Sequence, residues 1–209
     1  MESPYFTNAL EFITSDSRYN KEMSLARDEF IQFAGAILES DRSYDARVNS
    51  LHNWYVLDRP MTSTGVTPLD YFLKYNANTL PAFELERYAE LRDNHHSVFE
   101  IQKFRKEQTR IRDLITGKKF DIEGVEDTRH LEPGTLFNSR VFTHEGRHYL
   151  SNYLLLHPHE VVKSVRVQAK KQRKSKTDPK PFLFQLVLFQ SRYDQYTRME
   201  PGNIYRFSA

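Results

Sequence analysis

The chain has 209 residues, of which 39% are hydrophobic and 28% are charged, and its formal net charge is +2. This composition is typical of a globular protein and excludes disordered and collagen-like classes. The chain has no cysteine, which excludes disulfides and thiolate metal sites and favours a cytoplasmic location. No apolar run reaches the length of a membrane span, and the first residues, Met1-Glu2-Ser3, carry no basic leader pattern. We therefore expect no membrane partner.

The small net charge hides an asymmetry between the two halves of the chain. Residues 1–100 contain 9 Lys/Arg and 16 Asp/Glu, a net charge of −7, whereas residues 101–209 contain 21 and 12, a net charge of +9. Two interpretations stay open, because an acidic half and a basic half can attract each other, or a clustered basic surface can bind a polyanion.

The first hundred residues have apolar side chains at the three-to-four spacing of amphipathic helices. Thr67-Pro68-Leu69-Asp70 is typical of a helix start, with a capping hydroxyl, a proline at the first position and a carboxylate in the first turn. The pattern predicts five helices: residues 5–13, residues 20–38, residues 41–57, one from Thr67, and one from Pro81 to about residue 91.

Near Ser97 the spacing of the apolar residues changes from the three-to-four period of a helix to the two-residue period of a strand. In Phe120-Asp121-Ile122 apolar and polar residues alternate, which is the two-residue period of a half-buried strand. Glycines after Thr116, Pro133 and Glu145 allow tight turns between such runs. The predicted strands are residues 98–104, 109–115, 118–123, 135–144 and 147–155, and they predict a small antiparallel β-barrel. We expect its interior to bury Ile111, Phe120, Ile122, Leu136 or Phe137, and Val141, together with Trp54.

Two further helices are predicted after the strands. The first follows His157-Pro158 and carries Val161, Val162, Val165 and Ala169 on one side, and the second follows Asp178-Pro179. The expected fold class is α+β, with N-terminal helices, a central small antiparallel β-barrel and C-terminal helices packed on it. The expected divisions are a helical lead at 1–96, the barrel at 97–157 and the C-terminal helices at 158–209, all within one unit.

Five motifs between residues 54 and 141 carry a resemblance to a known group of proteins. They are Trp-Tyr-Val-Leu-Asp at 54–58, Thr-Pro-Leu-Asp-Tyr-Phe-Leu at 67–73, Ser-Val-Phe-Glu-Ile at 97–101, Arg-Asp-Leu-Ile-Thr-Gly at 112–117 and Gly-Thr-Leu-Phe-Asn-Ser-Arg-Val at 134–141. With these motifs the chain is similar to uncharacterised bacterial proteins in which a region of helices and a small barrel often precedes a SEC-C zinc module. The resemblance implies a fold and a bacterial origin over roughly residues 40–165, with no established activity. A SEC-C module needs cysteines, which this chain lacks, so its zinc and its partner-binding role are not carried over.

Basic residues are concentrated in residues 163–180, where eight of them accompany a single carboxylate, Asp178. Such a segment can neutralise phosphates and release their counterions, or it can be a solvated helix face that balances the acidic half. A second basic group beside the predicted strands can bind a phosphorylated ligand. The candidate anion-binding residues are Lys163, Arg166, Lys170, Lys171, Arg173 and Lys174 in the first group, and Arg105 and Arg110 in the second.

Four histidines near the end of the predicted barrel are candidates for metal ligation, but paired histidines near turns are common without metal. We expect no metal and no cofactor. The sequence favours a non-enzymatic binding or adaptor module with a nucleic acid or a protein as partner, and a homodimer stays open. The alternatives are an enzyme whose site is assembled from distant residues and a nucleotide-binding regulatory barrel. The histidines are His144, His148, His157 and His159, with Glu145 and Glu160 beside them.

Overall fold

The computed structural model describes residues 4–15, 19–124, 128 and 130–207. In this part of the chain, eight helices flank one six-stranded sheet, which makes the fold mixed α/β. None of the described helices combines the length and the apolar character needed to cross a membrane. Residues 1–3, on which the expectation about a leader rests, lie outside the described part.

Five helices form the N-terminal part, each where the apolar spacing predicts one. The second helix ends at Ala34, before the predicted residue 38, because Gly35 takes a positive φ of 83° that leaves the helical region. The cap at Thr67 is confirmed, since its Oγ1 accepts a hydrogen bond from the Asp70 backbone N–H at 3.2 Å. The helices are α1 (Pro4–Ser15), α2 (Asn20–Ala34), α3 (Tyr44–Leu57), α4 (Pro68–Asn76) and α5 (Ala82–Glu90).

Six strands follow, five of them at the predicted places. They are β1 (Asn94–Phe104), β2 (Gln108–Asp113), β3 (Lys119–Glu123), β4 (Leu136–His144), β5 (Arg147–Leu150) and β6 (Leu155–Leu156). The predicted fifth strand, residues 147–155, is divided into β5 and the short β6, which both pair with β4.

The pairings run from β1 through β2, β3, β5 and β4 back to β1, with β6 beside β4. The prediction of a wholly antiparallel arrangement is wrong at one place, because β3 and β5 are parallel at the Ile122–His148 pair. Hairpins join the antiparallel neighbours β1–β2, β2–β3 and β4–β5, whereas a parallel neighbour requires a longer connection, here through β4.

One face of the sheet encloses the predicted apolar cluster. Ile111, Phe120, Ile122, Phe137 and Val141 are buried together there, as expected. Leu136 points to the opposite face and belongs to the cluster formed with the C-terminal helices. The expectation for Trp54 is wrong: its ring packs at 5.2–6.3 Å from the ring centroids of Phe30, Phe33 and Phe184, among the helices.

The C-terminal helices cover the outer face of the sheet. A short 3₁₀ turn (His159–Val161) leads into α6 (Val162–Ser175), which is followed by α7 (Lys180–Gln195) and α8 (Pro201–Ile204). Val98 of β1 and Leu136 of β4 share one buried cluster with these three helices. Helix α7 also packs against α2, so it contacts both the sheet and the N-terminal helices. The division of the chain into three segments stays a prediction.

Candidate anion-binding surface

The two arginines of α6 are engaged within the protein. The Arg166 guanidinium donates to Glu100 Oε1 of β1 at 2.6 Å. Arg173 donates to the backbone carbonyls of Leu114 and Ile115, at 2.7 Å each, in the turn between β2 and β3. Because these contacts satisfy a carboxylate and two carbonyl groups, the arginines fix α6 to the sheet.

The second basic group is also paired. Arg110 donates from two nitrogens to the two carboxylate oxygens of Asp121, at 2.8 and 2.6 Å, and Arg105 lies 3.9 Å from the same carboxylate. The hydrogen bond from Arg110 lowers the pKa of Asp121, which keeps the carboxylate ionised. Arg105 and Arg110 therefore share one counter-charge on the sheet, and we leave them out of the candidate surface.

The four lysines of α6 differ from the arginines. Lys163, Lys170, Lys171 and Lys174 are exposed, and none of their side chains forms an ion pair or hydrogen bond with the described residues. Their positions place them on the side of α6 opposite its buried face of Val162, Val165 and Ala169. The half-exposed Val167 lies among them. We call Lys163, Lys170, Lys171 and Lys174 the lysine surface.

Charges on the lysine surface repel each other. Lys170 and Lys174 are one turn apart, and such like-charge pairs destabilise a helix by about 0.2–0.5 kcal/mol. From Lys163 to Lys174 the surface is about 16 Å long, given the 1.5 Å rise per residue. A row of ammonium groups over this length has the spacing and charge to neutralise several phosphates of an extended anion.

The acidic half does not supply that anion through direct contacts. Its carboxylates pair largely with arginines of the same half: Asp41 with Arg47, and Glu22 and Glu29 with Arg59. Between α6 and residues 1–100, the ion pair among the described residues is Arg166–Glu100. Among the described residues, no carboxylate therefore pairs with the lysine surface.

The structure does not bring the four candidate histidines together. His157 is buried, with Nε2 at 2.9 Å from Asn138 Oδ1 and Nδ1 at 2.9 Å from the Tyr205 hydroxyl. His144 contacts Glu90, and His148 lies edge-on to the Phe120 ring. Within the described ranges no group of three His, Asp or Glu side chains has the arrangement of a metal site.

An aspartate, a serine and a histidine meet at one end of the sheet. Asp113 is buried, and its carboxylate accepts from Ser97 Oγ at 2.6 Å and lies 2.8 Å from His95 Nε2. Burial opposes ionisation of Asp113, but hydrogen bonds from His95, Ser97 and Thr116 outweigh it and lower its pKa. The carboxylate lies between the two other groups, so His95 is not placed to take a proton from Ser97, as a nucleophilic triad requires.

A cavity of about 260 Å³ lies between α1, α5 and the β4–β5 hairpin. The charged groups at its rim are paired with each other: His144 Nδ1 lies 2.5 Å from Glu90 Oε2, Arg87 lies 2.7 Å from His144 Nε2, and Arg87 also donates to Glu145. The buried Oδ1 of Asn53, which also lines the cavity, has no hydrogen-bond partner among the described residues. Both ring nitrogens of His144 are thus occupied, which leaves no free general base in this arrangement.

Comparisons of the chain with protein-family models, with characterised proteins and with solved structures found no match. The resemblance to the proteins that carry a SEC-C module therefore stays a prediction.

Sequence reasoning missed a groove of about 850 Å³ beside the lysine surface. It is lined by Lys171 of α6, by Phe184 of α7 and by Phe33 of α2, among others. The aromatic residues come from helices far apart in the chain, and each fits an apolar helix stripe equally well. The sequence alone has no signal that distinguishes a groove wall from a core position here.

Proposed function

We propose that this protein is a non-enzymatic binding module that contacts the phosphates of a nucleic acid through the lysine surface. The observation that carries the proposal is the contrast on α6: both arginines are bound to the sheet, whereas the four lysines face solvent with no side-chain partner in the described part of the chain. A lysine ammonium is a flexible point charge, which suits contacts to a phosphate backbone without base readout.

The sheet supplies a rigid base for this surface. We infer that β1, β2, β3, β5 and β4 close into a small barrel, because the pairings return to β1. Helix α6 packs on the outer face of this sheet. It is held there by the buried Val165 and Ala169 and by the two arginine contacts. Closure removes free sheet edges, so a partner is expected at the helical surface.

An enzymatic role has less support. Asp113 separates Ser97 from His95, and both nitrogens of His144 are engaged beside the cavity. A regulatory barrel that binds a nucleotide through Arg105 and Arg110 has less support as well, because both arginines face Asp121. We therefore propose no reaction.

Replacing the four lysines by glutamine tests the proposal. The variant K163Q/K170Q/K171Q/K174Q keeps good helix formers, so the fold is expected to persist. We expect binding of labelled DNA and RNA to weaken at least tenfold at low salt. The slope of log affinity against log salt, measured by fluorescence anisotropy between about 50 and 200 mM, should fall by roughly 3, since each neutralised phosphate contributes about 0.7–0.9.

A matched variant controls for total charge. K21Q/K74Q/K106Q/K119Q removes the same number of charges from exposed lysines elsewhere and is expected to retain most of the affinity and slope. Equal losses in the two variants would show that only net charge matters and would contradict the proposal. Tight binding of polyglutamate in place of nucleic acid would point to an acidic protein as the partner and would also overturn it.

A further inference from the structure

The groove beside the lysine surface combines charge with aromatic groups. On its α6 side lies Lys171, which belongs to the lysine surface, and Lys180 lies at the start of α7. The groove is also lined by the partly exposed rings of Phe33, Phe184 and Phe207, which we call the aromatic wall. A cationic edge along an open aromatic wall is the arrangement that binds single-stranded nucleic acid, whose phosphates follow the charges while its bases stack on the rings.

Two rings of the aromatic wall, Phe33 and Phe184, are fixed by packing against other aromatic side chains. The ring centroids of Phe33 and Phe184 are 4.1 Å apart, and Trp54 packs against both at 5.2 and 6.3 Å. The buried Phe30 closes the same cluster. Since these rings are fixed before a ligand arrives, stacking on them costs little side-chain entropy.

Two amide side chains add hydrogen-bonding capacity without charge. Gln168 and Gln185 line the groove from α6 and α7, and neither has a side-chain hydrogen bond with the described residues. Each amide offers donors and an acceptor to the edge of an unpaired base. A carboxylate, Asp178, also lines the groove, but its Oδ1 accepts from the backbone N–H of Lys180 at 3.0 Å.

We infer that this groove takes the bases of a single-stranded nucleic acid whose phosphates lie on the lysine surface. The inference rests on the proposed function and specifies its substrate class. In a duplex the base faces are covered by their neighbours, so rings in a groove reach only unstacked bases. The protein therefore distinguishes single strands from duplexes by Phe33 and Phe184, and it holds both through the lysines.

Three labelled probes of equal length separate base stacking in the groove from phosphate contact on the lysine surface. They are an oligothymidylate, the matching abasic strand with the same phosphates but no bases, and a duplex. We expect the oligothymidylate to bind roughly five-fold or more tightly than the other two, since stacking on one aromatic ring alone has an effect of this size. Phe184→Leu keeps an apolar side chain at this position. It should bring the oligothymidylate affinity close to that of the abasic strand and leave the abasic affinity unchanged.

Phe33→Leu and Phe207→Leu keep the test decisive if Phe184→Leu does not fold, because each alters a different part of the wall. Equal affinity for the oligothymidylate and the abasic strand, with both weakened by K163Q/K170Q/K171Q/K174Q, would overturn base contact in the groove and leave phosphate binding intact. Binding of none of the three probes would overturn both.

Discussion

Replacing Arg47 by methionine is expected to lower the free energy of unfolding by about 3–5 kcal/mol, because the change removes one partner of a buried ionic network. The Arg47 side chain is fully buried in α3. Its guanidinium donates to the carbonyls of Ala34, Gly35 and Ala36 at 2.9, 2.9 and 2.5 Å, and to Asp41 Oδ2 at 3.1 Å. These carbonyls lie where α2 ends and the chain turns at Gly35.

Urea denaturation followed by circular dichroism measures this effect. Arg42→Met is the matched control, since Arg42 is exposed and has no ion pair among the described residues, and it is expected to change stability by no more than about 0.5 kcal/mol. Arg47→Lys should restore little of the lost free energy of unfolding, because one ammonium group cannot reproduce the planar set of donors of the guanidinium. A loss below about 1 kcal/mol in Arg47→Met would show that the network contributes little.

Acidification is expected to destabilise the protein through His157. Burial lowers the pKa of His157 to about 3 in the folded protein, from 6.5 when it is unperturbed. Between these values the unfolded chain binds a proton that the folded protein does not bind, so stability falls as pH falls below 6.5. Well below pH 6.5 the free energy of unfolding falls by about 1.4 kcal/mol per pH unit, so the loss between pH 6.5 and pH 5 is about 2 kcal/mol.

Burial causes the low pKa of His157, and its two hydrogen bonds fit the neutral ring. The Asn138 amide donates to Leu183 O, so its Oδ1 accepts from His157 Nε2–H, and His157 Nδ1 accepts from the Tyr205 hydroxyl. A second imidazole proton, on Nδ1, would require the Tyr205 hydroxyl to turn from donor to acceptor. Burial and the nearby Arg140 charge also lower the pKa of His96, which steepens the dependence in the same direction.

Unfolding free energies of wild type and His157→Gln, measured from pH 7 to about pH 5, test this account. His157→Gln should be less stable at pH 7 and should show a shallower decline with acid, because the titrating group is gone. His159→Gln, at an exposed position two residues further along the chain, should keep the wild-type slope. An unchanged slope in His157→Gln would contradict the assignment.

The local elements of this fold can be predicted from the sequence because their causes are local. Thr67 and Asp70 form a cap within one turn, and the alternation around Phe120 requires only the two-residue period of a strand. The parallel contact of Ile122 with His148 and the place of Trp54 among the helices depend on tertiary packing. No local pattern encodes which of several apolar surfaces a residue meets.

The lysine surface likewise has one feature that the sequence predicts and another that depends on tertiary packing. The basic run of residues 163–180 is visible in the sequence. Its separation into arginines bound to the sheet and lysines without a partner among the described residues is not. The partner of Arg166 lies 66 residues away and that of Arg173 lies 58 residues away, so only the folded protein reveals these contacts. The aromatic wall was missed for a similar reason, since Phe33 and Phe184 meet only when α2 and α7 pack together.

The position of α7 has a consequence for how the protein is made on the ribosome. The Ser43 backbone N–H donates to Asp194 across 151 residues, and Ser191 Oγ donates to Ala36 O across 155. Phe30 and Ala34 share a buried cluster with Val187 of α7. Until α7 has been synthesised, that apolar side of α2 lacks part of its cover, and the N-terminal helices of the nascent chain are more open to proteases and to aggregation. We expect a nascent chain halted at residue 179 to be cleaved within α2, whereas one that includes α7 and has left the exit tunnel should resist cleavage there.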